Sequence, residues 1–104
     1  MSEQTPVFLV ASLHVEDMAS FQAGYVAPLK AINDRHGVEA IVATPHLTAL
    51  EGQLTANVMA VLRFPSQSAL DAWYADPEYL PLIEARQAAT DQTTSALIAL
   101  TPMA

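Results

Sequence analysis

The stretch Val7-Phe8-Leu9-Val10-Ala11-Ser12-Leu13-His14-Val15 is a nearly unbroken apolar run rich in β-branched and aromatic residues. It is too short for a typical helix and reads as a strand. Alternate side chains of a strand point to opposite faces, so Val7, Leu9, Ala11 and Leu13 fall on one side and Phe8, Val10, Ser12 and His14 on the other. Both sides are largely apolar, whereas a strand with one face in water alternates apolar with polar. Asn57 to Phe64 repeats the pattern: Val58, Ala60, Leu62 and Phe64 oppose Met59 and Val61, with polar Asn57 and Arg63 near the ends.

Between these runs, Met18, Phe21, Tyr25, Leu29 and Ile32 recur at spacings of three and four, which predicts an amphipathic helix. Asp17 is its N-cap, Pro28 is expected to kink it, and Gly37 ends it as the C′ residue after His36. Val38 to Thr44 is a further strand, closed by Pro45. After Phe64, Pro65 stops the strand and Ser66 caps a short helix carrying Leu70, Trp73 and Tyr74. Asp76-Pro77-Glu78 then reads as N-cap, first-turn proline and first-turn acid of a helix reaching about Thr90. Ser95 to Leu100 is the last strand, ended by Pro102.

The order is βαββαβ, which predicts one α+β domain over residues 1–104 in the ferredoxin-like arrangement: a four-stranded antiparallel sheet of order 4-1-3-2 with both helices on one face. That arrangement leaves the second face of strands one and three uncovered although it is apolar. A second copy of the chain stacking sheet to sheet supplies the cover, so a homodimer through the open sheet face is expected.

Composition agrees. Of 104 residues, 4 are basic and 11 acidic, giving a net charge of −7, and 52% are hydrophobic; average domains carry about 25% charged residues. Four basic residues do not neutralise a run of phosphates, so nucleic acid is excluded as a partner, and the acidic balance disfavours anionic membranes. There is no cysteine, hence no thiolate nucleophile and no zinc-thiolate site. Met1 to Pro6 lacks a basic leader segment and no apolar run approaches the roughly 20 residues of a membrane span, so the expected location is the cytoplasm. Glycine-rich phosphate loops and dinucleotide fingerprints are absent, and no cofactor is implied.

The segment Phe64-Pro65-Ser66-Gln67-Ser68-Ala69-Leu70-Asp71-Ala72-Trp73-Tyr74-Ala75-Asp76-Pro77-Glu78-Tyr79 resembles the hallmark stretch of family 1330 of the domains of unknown function: a Phe-Pro-Ser/Asp turn, Ala-Trp-Tyr, then Ser/Asp-Pro-Glu-Tyr. Asp17 with Phe21, Leu50-Glu51-Gly52, and Arg86 with Ala88-Ala89 extend the resemblance over almost the whole chain. It implies a dimeric α+β barrel and brings no established reaction. The family's Gly-Gly-Arg and Arg-Gly-Gly elements around strand two are replaced by His36-Gly37-Val38 and Ala43-Thr44-Pro45, so a site built on them is not carried over, and His46 is the candidate in their place.

In a 4-1-3-2 sheet His14, the turn holding Thr44 and His46, Asn57, and Thr94-Ser95 converge on one rim. His14 and His46 are therefore the candidate catalytic pair, base and acid on an enolisable substrate, with Asn57 or Thr44 as donor to an oxyanion. The competing reading makes His14 a strand-end residue and His46 a loop residue. A metal held by His14 and His46 with Glu51 or Asp17 has no close-spaced ligand pair in its favour. Tyr25, on the inner stripe of the first helix, is a candidate substrate-binding hydroxyl or a core residue with its OH satisfied. Arg63 either binds a carboxylate or enolate or pairs with an acid such as Glu84 or Asp71. Trp73 and Tyr74 read first as packing and dimer-contact residues. Two functions follow: a cofactor-independent enzyme performing proton transfer (isomerase, cyclase or lyase chemistry) on a small carbonyl or aromatic compound bound by Tyr25, Asn57 and Arg63, or a non-catalytic ligand-binding or scaffold dimer. Haem held by an axial histidine is a weaker third.

Overall fold

The computed structural model describes residues 5–103; the leader reading of Met1 to Gln4 lies outside them. The elements are β1 (Val7–Leu13), α1 (Met18–Phe21), a π-helical turn (Gln22–Val26), α2 (Ala27–Arg35), β2 (Glu39–Thr44), β3 (Val58–Phe64), α3 (Gln67–Tyr74), α4 (Leu80–Ala89) and β4 (Ala96–Leu100). The sheet runs β2-β3-β1-β4 with every neighbouring pair antiparallel, as the element order predicts.

Local chemistry accounts for most boundaries. Asp17 caps α1, its carboxylate accepting from the Ser20 N–H at 3.1 Å and the Ser20 hydroxyl at 2.7 Å, and these two bonds hold its pKa below the ordinary carboxylate range. Pro28 sits in the first turn of α2, just past the π-helical turn, where the Ala27 N–H reaches back five residues to the Gln22 carbonyl. The proline's effect thus appears as a widened turn that re-pairs the backbone around its missing donor. Gly24, in that turn, lets α4 approach closely: a Cβ there would lie 3.2 Å from Ala85 Cβ. Gly37 takes φ +69° and ends α2, as its placement after His36 predicts.

One expectation needs correction. Asp76 does not cap α4. Its Oδ1 accepts from the Glu78 N–H at 2.9 Å and its carbonyl from the Tyr79 N–H at 2.8 Å, closing a turn, and α4 begins at Leu80 with Pro81 as the first-turn proline. Strand two carries a bulge between Ala40 and Val42, which puts Ile41 outside the ladder register.

All helices lie on one face of the sheet. Val7, Leu9, Ala11, Leu13, Leu62 and Phe64 are buried against Phe21, Tyr25, Leu29, Ile32, Leu70 and Trp73. The other face presents Phe8, Val10 and Ser12 of β1, Met59, Val61 and Arg63 of β3, Val42 of β2, and Ile98 and Leu100 of β4. Ile98 is 49% and Leu100 48% exposed, so the apolar face inferred from sequence exists and is open in the single chain.

The hallmark segment joins α3 to the end of α2. Trp73, fully buried, meets Phe64 edge-on at 5.2 Å and Tyr79 at 4.3 Å between ring centroids, and its indole N–H donates to Asn33 Oδ1 at 2.8 Å. Asp76 Oδ2 lies 2.7 Å from both Arg35 Nη2 and His36 Nε2. The His36 and Arg35 hydrogen bonds hold the Asp76 carboxyl well below its ordinary range. A group depressed in the folded state contributes stability that is complete above its unfolded pKa and is lost as pH falls toward the folded value. Stability is therefore expected to decline below about pH 4. In Asp76→Asn this part of the acid limb flattens, which urea titrations at pH 3, 4 and 7 check.

Candidate functional site

A cavity of about 550 Å3 opens between the first helix and the sheet. Its floor is Leu9, Ala11, Ala60 and Leu62, its helical wall Phe21, Tyr25 and Leu29, and polar groups sit toward its mouth at Gln22, Lys30, Asn33, Asp34 and Thr44. Such a volume suits a small organic molecule, since ligand pockets run roughly 300–1,000 Å3. The exposed Lys30–Asp34 pair at 3.2 Å is one helical turn apart.

Of the groups singled out in the sequence, Tyr25 lies in the helical wall of this cavity and Thr44 at its lining, where its hydroxyl oxygen accepts from the His46 N–H. The Tyr25 and Tyr79 hydroxyl oxygens lie 2.7 Å apart, and Arg86 Nη1 donates to the Tyr79 oxygen at 3.0 Å. Tyr79 is fully buried, and burial, with Tyr25 beside it, pushes its phenol pKa up, so it keeps its proton. Arginine has no acceptor, so among the described residues the Tyr79 proton has one destination, the Tyr25 oxygen. The arrangement that satisfies the fully buried Tyr79 proton has the Tyr25 hydroxyl accepting from Tyr79, with the Tyr25 proton left to donate elsewhere. Arg86 polarises Tyr79 and Tyr79 polarises Tyr25, which makes Tyr25 a stronger donor than an isolated phenol. The Arg86 guanidinium also lies 5.5 Å from the Tyr25 ring centroid.

The other candidates lie elsewhere. His14 follows β1 outside the cavity: its N–H donates to Ser95 Oγ at 2.9 Å, its carbonyl accepts from the Asp91 N–H at 2.9 Å, and its Nδ1 lies 3.5 Å from Thr94 Oγ1. The expected approach of Thr94 and Ser95 to His14 is thus present. His46 is exposed in the loop after β2, its N–H donating to Thr44 Oγ1 at 2.9 Å. Asn57 is engaged on Val15, accepting from its N–H at 2.7 Å and donating to its carbonyl at 2.9 Å, which prolongs the β1–β3 pairing beyond the strands. Arg63 points to the open face of the sheet, across from Phe8 and Glu39, and among the described residues forms no ion pair, with Glu84, Asp71 or any other acid. Of the residues named for an enzyme site, the cavity lining holds Tyr25 and Thr44 but not His14, His46, Asn57 or Arg63: a strand's alternation sends Arg63 to the face opposite the cavity, and the histidines lie beyond strand ends outside its wall. No histidine lines the cavity, so the axial ligand that a haem there requires is not in its wall. Among the described residues no three of His, Cys, Asp and Glu gather as metal ligands.

Tyr79 and Arg86 are the groups that sequence reasoning left unassigned. Arg86 had a signal: with Leu82 and Ala89 it falls on the inner stripe of α4, where a basic residue is out of place. Tyr79 had none beyond its motif, because its role is set by contacts to α4 and the π-helical turn.

The domain of unknown function DUF1330 matches the chain over residues 6–99. Solved structures share the fold. A protein of unknown function from Rhodopseudomonas palustris superposes with a TM-score of 0.80 at 20% identity, covering 98% of this chain and 85% of that one. A dimeric ferredoxin-like protein of unknown function from Jannaschia sp. CCS1 gives 0.79 at 14% identity, over 93% and 99% of the two chains. SnoaB, a cofactor-independent oxygenase from Streptomyces nogalater, gives 0.68 at 18% identity, over 96% and 95%. No curated protein is similar to this chain by sequence. No helix among the described residues is long and apolar enough to cross a membrane.

Proposed function

The chain belongs to the DUF1330 family, and from that premise we propose that it is a one-domain, cytoplasmic, homodimeric α+β barrel binding a small, largely apolar carbonyl or aromatic compound between the first helix and the sheet. The observation that carries this reading is Tyr25 in the wall of an apolar cavity, its hydroxyl joined to the buried Tyr79–Arg86 pair; with Tyr79 as the donor of that bond, the Tyr25 proton is free. A carbonyl oxygen of the ligand accepts that proton's hydrogen bond, while the ring or chain fills the space over Ala11, Ala60 and Leu62. On an enolisable ligand the same hydroxyl stabilises the enolate oxygen as charge develops, which is the contribution to cofactor-independent proton transfer that we assign to it. SnoaB, described as a cofactor-independent oxygenase, supports the reading that this architecture suits organic chemistry without a cofactor. Histidine catalysis by His14 or His46 gains no support from their positions outside the cavity.

Calorimetric titration with acetophenone and with ethylbenzene, which has the same ring and no carbonyl, tests this. One neutral hydrogen bond contributes about 0.5–1.5 kcal/mol, so the wild type is expected to prefer acetophenone by roughly 2- to 12-fold. Tyr25→Phe keeps the shape and loses the preference. Equal affinity of the two ligands for the wild type, or a preference that survives in Tyr25→Phe, rejects the assigned role. Tyr25→Phe also leaves the buried Tyr79 donor without an acceptor, at a cost of about 1–3 kcal/mol of stability, which thermal unfolding reads separately.

A further inference from the structure

Arg86 lies on α4 with only 5% of its surface exposed, yet no carboxylate of the described residues is within ion-pair distance of its guanidinium. Lys30 and Arg35, which are far more exposed, both have acidic partners. A charge taken out of water is costly unless it is paired and its donors are satisfied. Of the three guanidinium nitrogens, Nη1 alone has a hydrogen-bond partner among the described residues, the Tyr79 hydroxyl. No side-chain nitrogen among the described residues is both sealed from solvent and unpartnered, so the remaining Arg86 donors reach open space. That space is a second, smaller cavity of about 180 Å3 between α4 and the β1–β4 edge, lined by Arg86, Gln92, Ser95, Tyr74 and the apolar Leu13 and Leu97. Ser95 Oγ accepts from the His14 N–H, which leaves its own proton to donate. Gln92 Nε2 donates one proton to Thr90 Oγ1 and has a second. The nearby Asp91 carboxylate is turned to the Thr93 N–H and hydroxyl.

We propose that this second cavity is a binding site for a small carboxylate, its two oxygens held by the free edge of the Arg86 guanidinium with Ser95 and Gln92 as further donors. A planar fork facing a planar anion matches bidentately, and the guanidinium charge, buried with no carboxylate of the described residues beside it, selects an anion over a neutral amide. The volume admits a short acid of two to four carbons, with Leu13 and Leu97 beside its alkyl end. The site is distinct from the carbonyl-binding cavity and stands whether or not that cavity is occupied. Because Arg86 also polarises Tyr79, its occupancy is expected to be felt at the Tyr25 hydroxyl.

The test is an NMR titration of the full-length wild-type chain with sodium propionate at constant ionic strength, following the Arg86 Nε–H resonance, with propionamide and sodium chloride as controls. Propionate is expected to shift that resonance in a saturable way, and neither control to do so. Arg86→Lys keeps the charge and loses the fork, and is expected to weaken propionate at least tenfold, read by calorimetry. Gln92→Ala, at an exposed position compatible with folding, is expected to weaken it several-fold. An Arg86 signal that propionate leaves unmoved, one that chloride moves equally, or an Arg86 paired with an acidic side chain of a second copy in the assembled protein overturns the proposal.

Discussion

Trp73→Ala is expected to cost about 3–5 kcal/mol, the range for truncating a buried aromatic. Domains of this kind have a total stability of roughly 5–15 kcal/mol, so the variant retains little margin. Trp73 is fully buried, packs against Phe64 and Tyr79 at 5.2 and 4.3 Å, and its N–H holds the end of α2 through Asn33. Its loss therefore removes packing between β3, α3 and the Asp76–Tyr79 turn and frees the Asn33 acceptor at once. Trp73→Phe separates the two effects: most of the ring remains, the N–H goes, and a net hydrogen bond of about 0.5–1.5 kcal/mol plus a small void is lost. Urea unfolding followed by far-ultraviolet circular dichroism checks the order. A Trp73→Ala variant within about 1 kcal/mol of wild type would place the hub elsewhere, since surface substitutions usually stay within ±0.5 kcal/mol.

Most of the fold was legible because it rests on local, periodic signals. The apolar run of Val7 to Leu13 and the caps at Asp17 and Ser66 each act within one element and appear as read, and the three-and-four spacing from Met18 to Ile32 appears as a helical run interrupted by the π-helical turn. Features decided by tertiary contact were not legible. Asp76 has the sequence context of a helix cap and does accept from the Glu78 N–H, but over a turn, and its second oxygen is held by Arg35 and His36, about 40 residues away in the chain. Asn57 and Arg63 were attractive as polar groups on apolar strands; one completes a backbone ladder and the other faces away from the cavity. Of the candidate site, Tyr25 was visible from its helical stripe, whereas the direction of its hydrogen bond depends on Tyr79 and Arg86 meeting it across the fold. The histidines drew attention by their chemistry alone, and chemistry without enclosure does not make a site.

Val61→Lys is expected to convert the proposed homodimer to an 11.2 kDa monomer. Val61 sits in the middle of the open sheet face, in register with Val10 on one side and Val42 on the other, with Ile98 beyond Val10. The surrounding side chains are apolar, so a lysine there has no acid within its own strand pairs. In an isologous interface the substitution occurs twice, and the two ammonium groups are brought toward one another. Burying an unpaired charge costs several kcal/mol per ion; with about 3 kcal/mol at each of two sites the dissociation constant rises roughly 10^4-fold. In a single chain the same lysine is solvated, so the fold survives and its far-ultraviolet spectrum is unchanged, while the thermal midpoint loses the concentration dependence that a dimer confers. Gln67→Lys, exposed at the start of α3 on the helical side, adds the same charge away from the open face and is expected to leave assembly intact. Sedimentation velocity at micromolar concentration reads both. A wild-type chain that sediments as a monomer, or a Val61→Lys chain that remains dimeric, means that something other than a second copy covers the apolar face of β1 and β3.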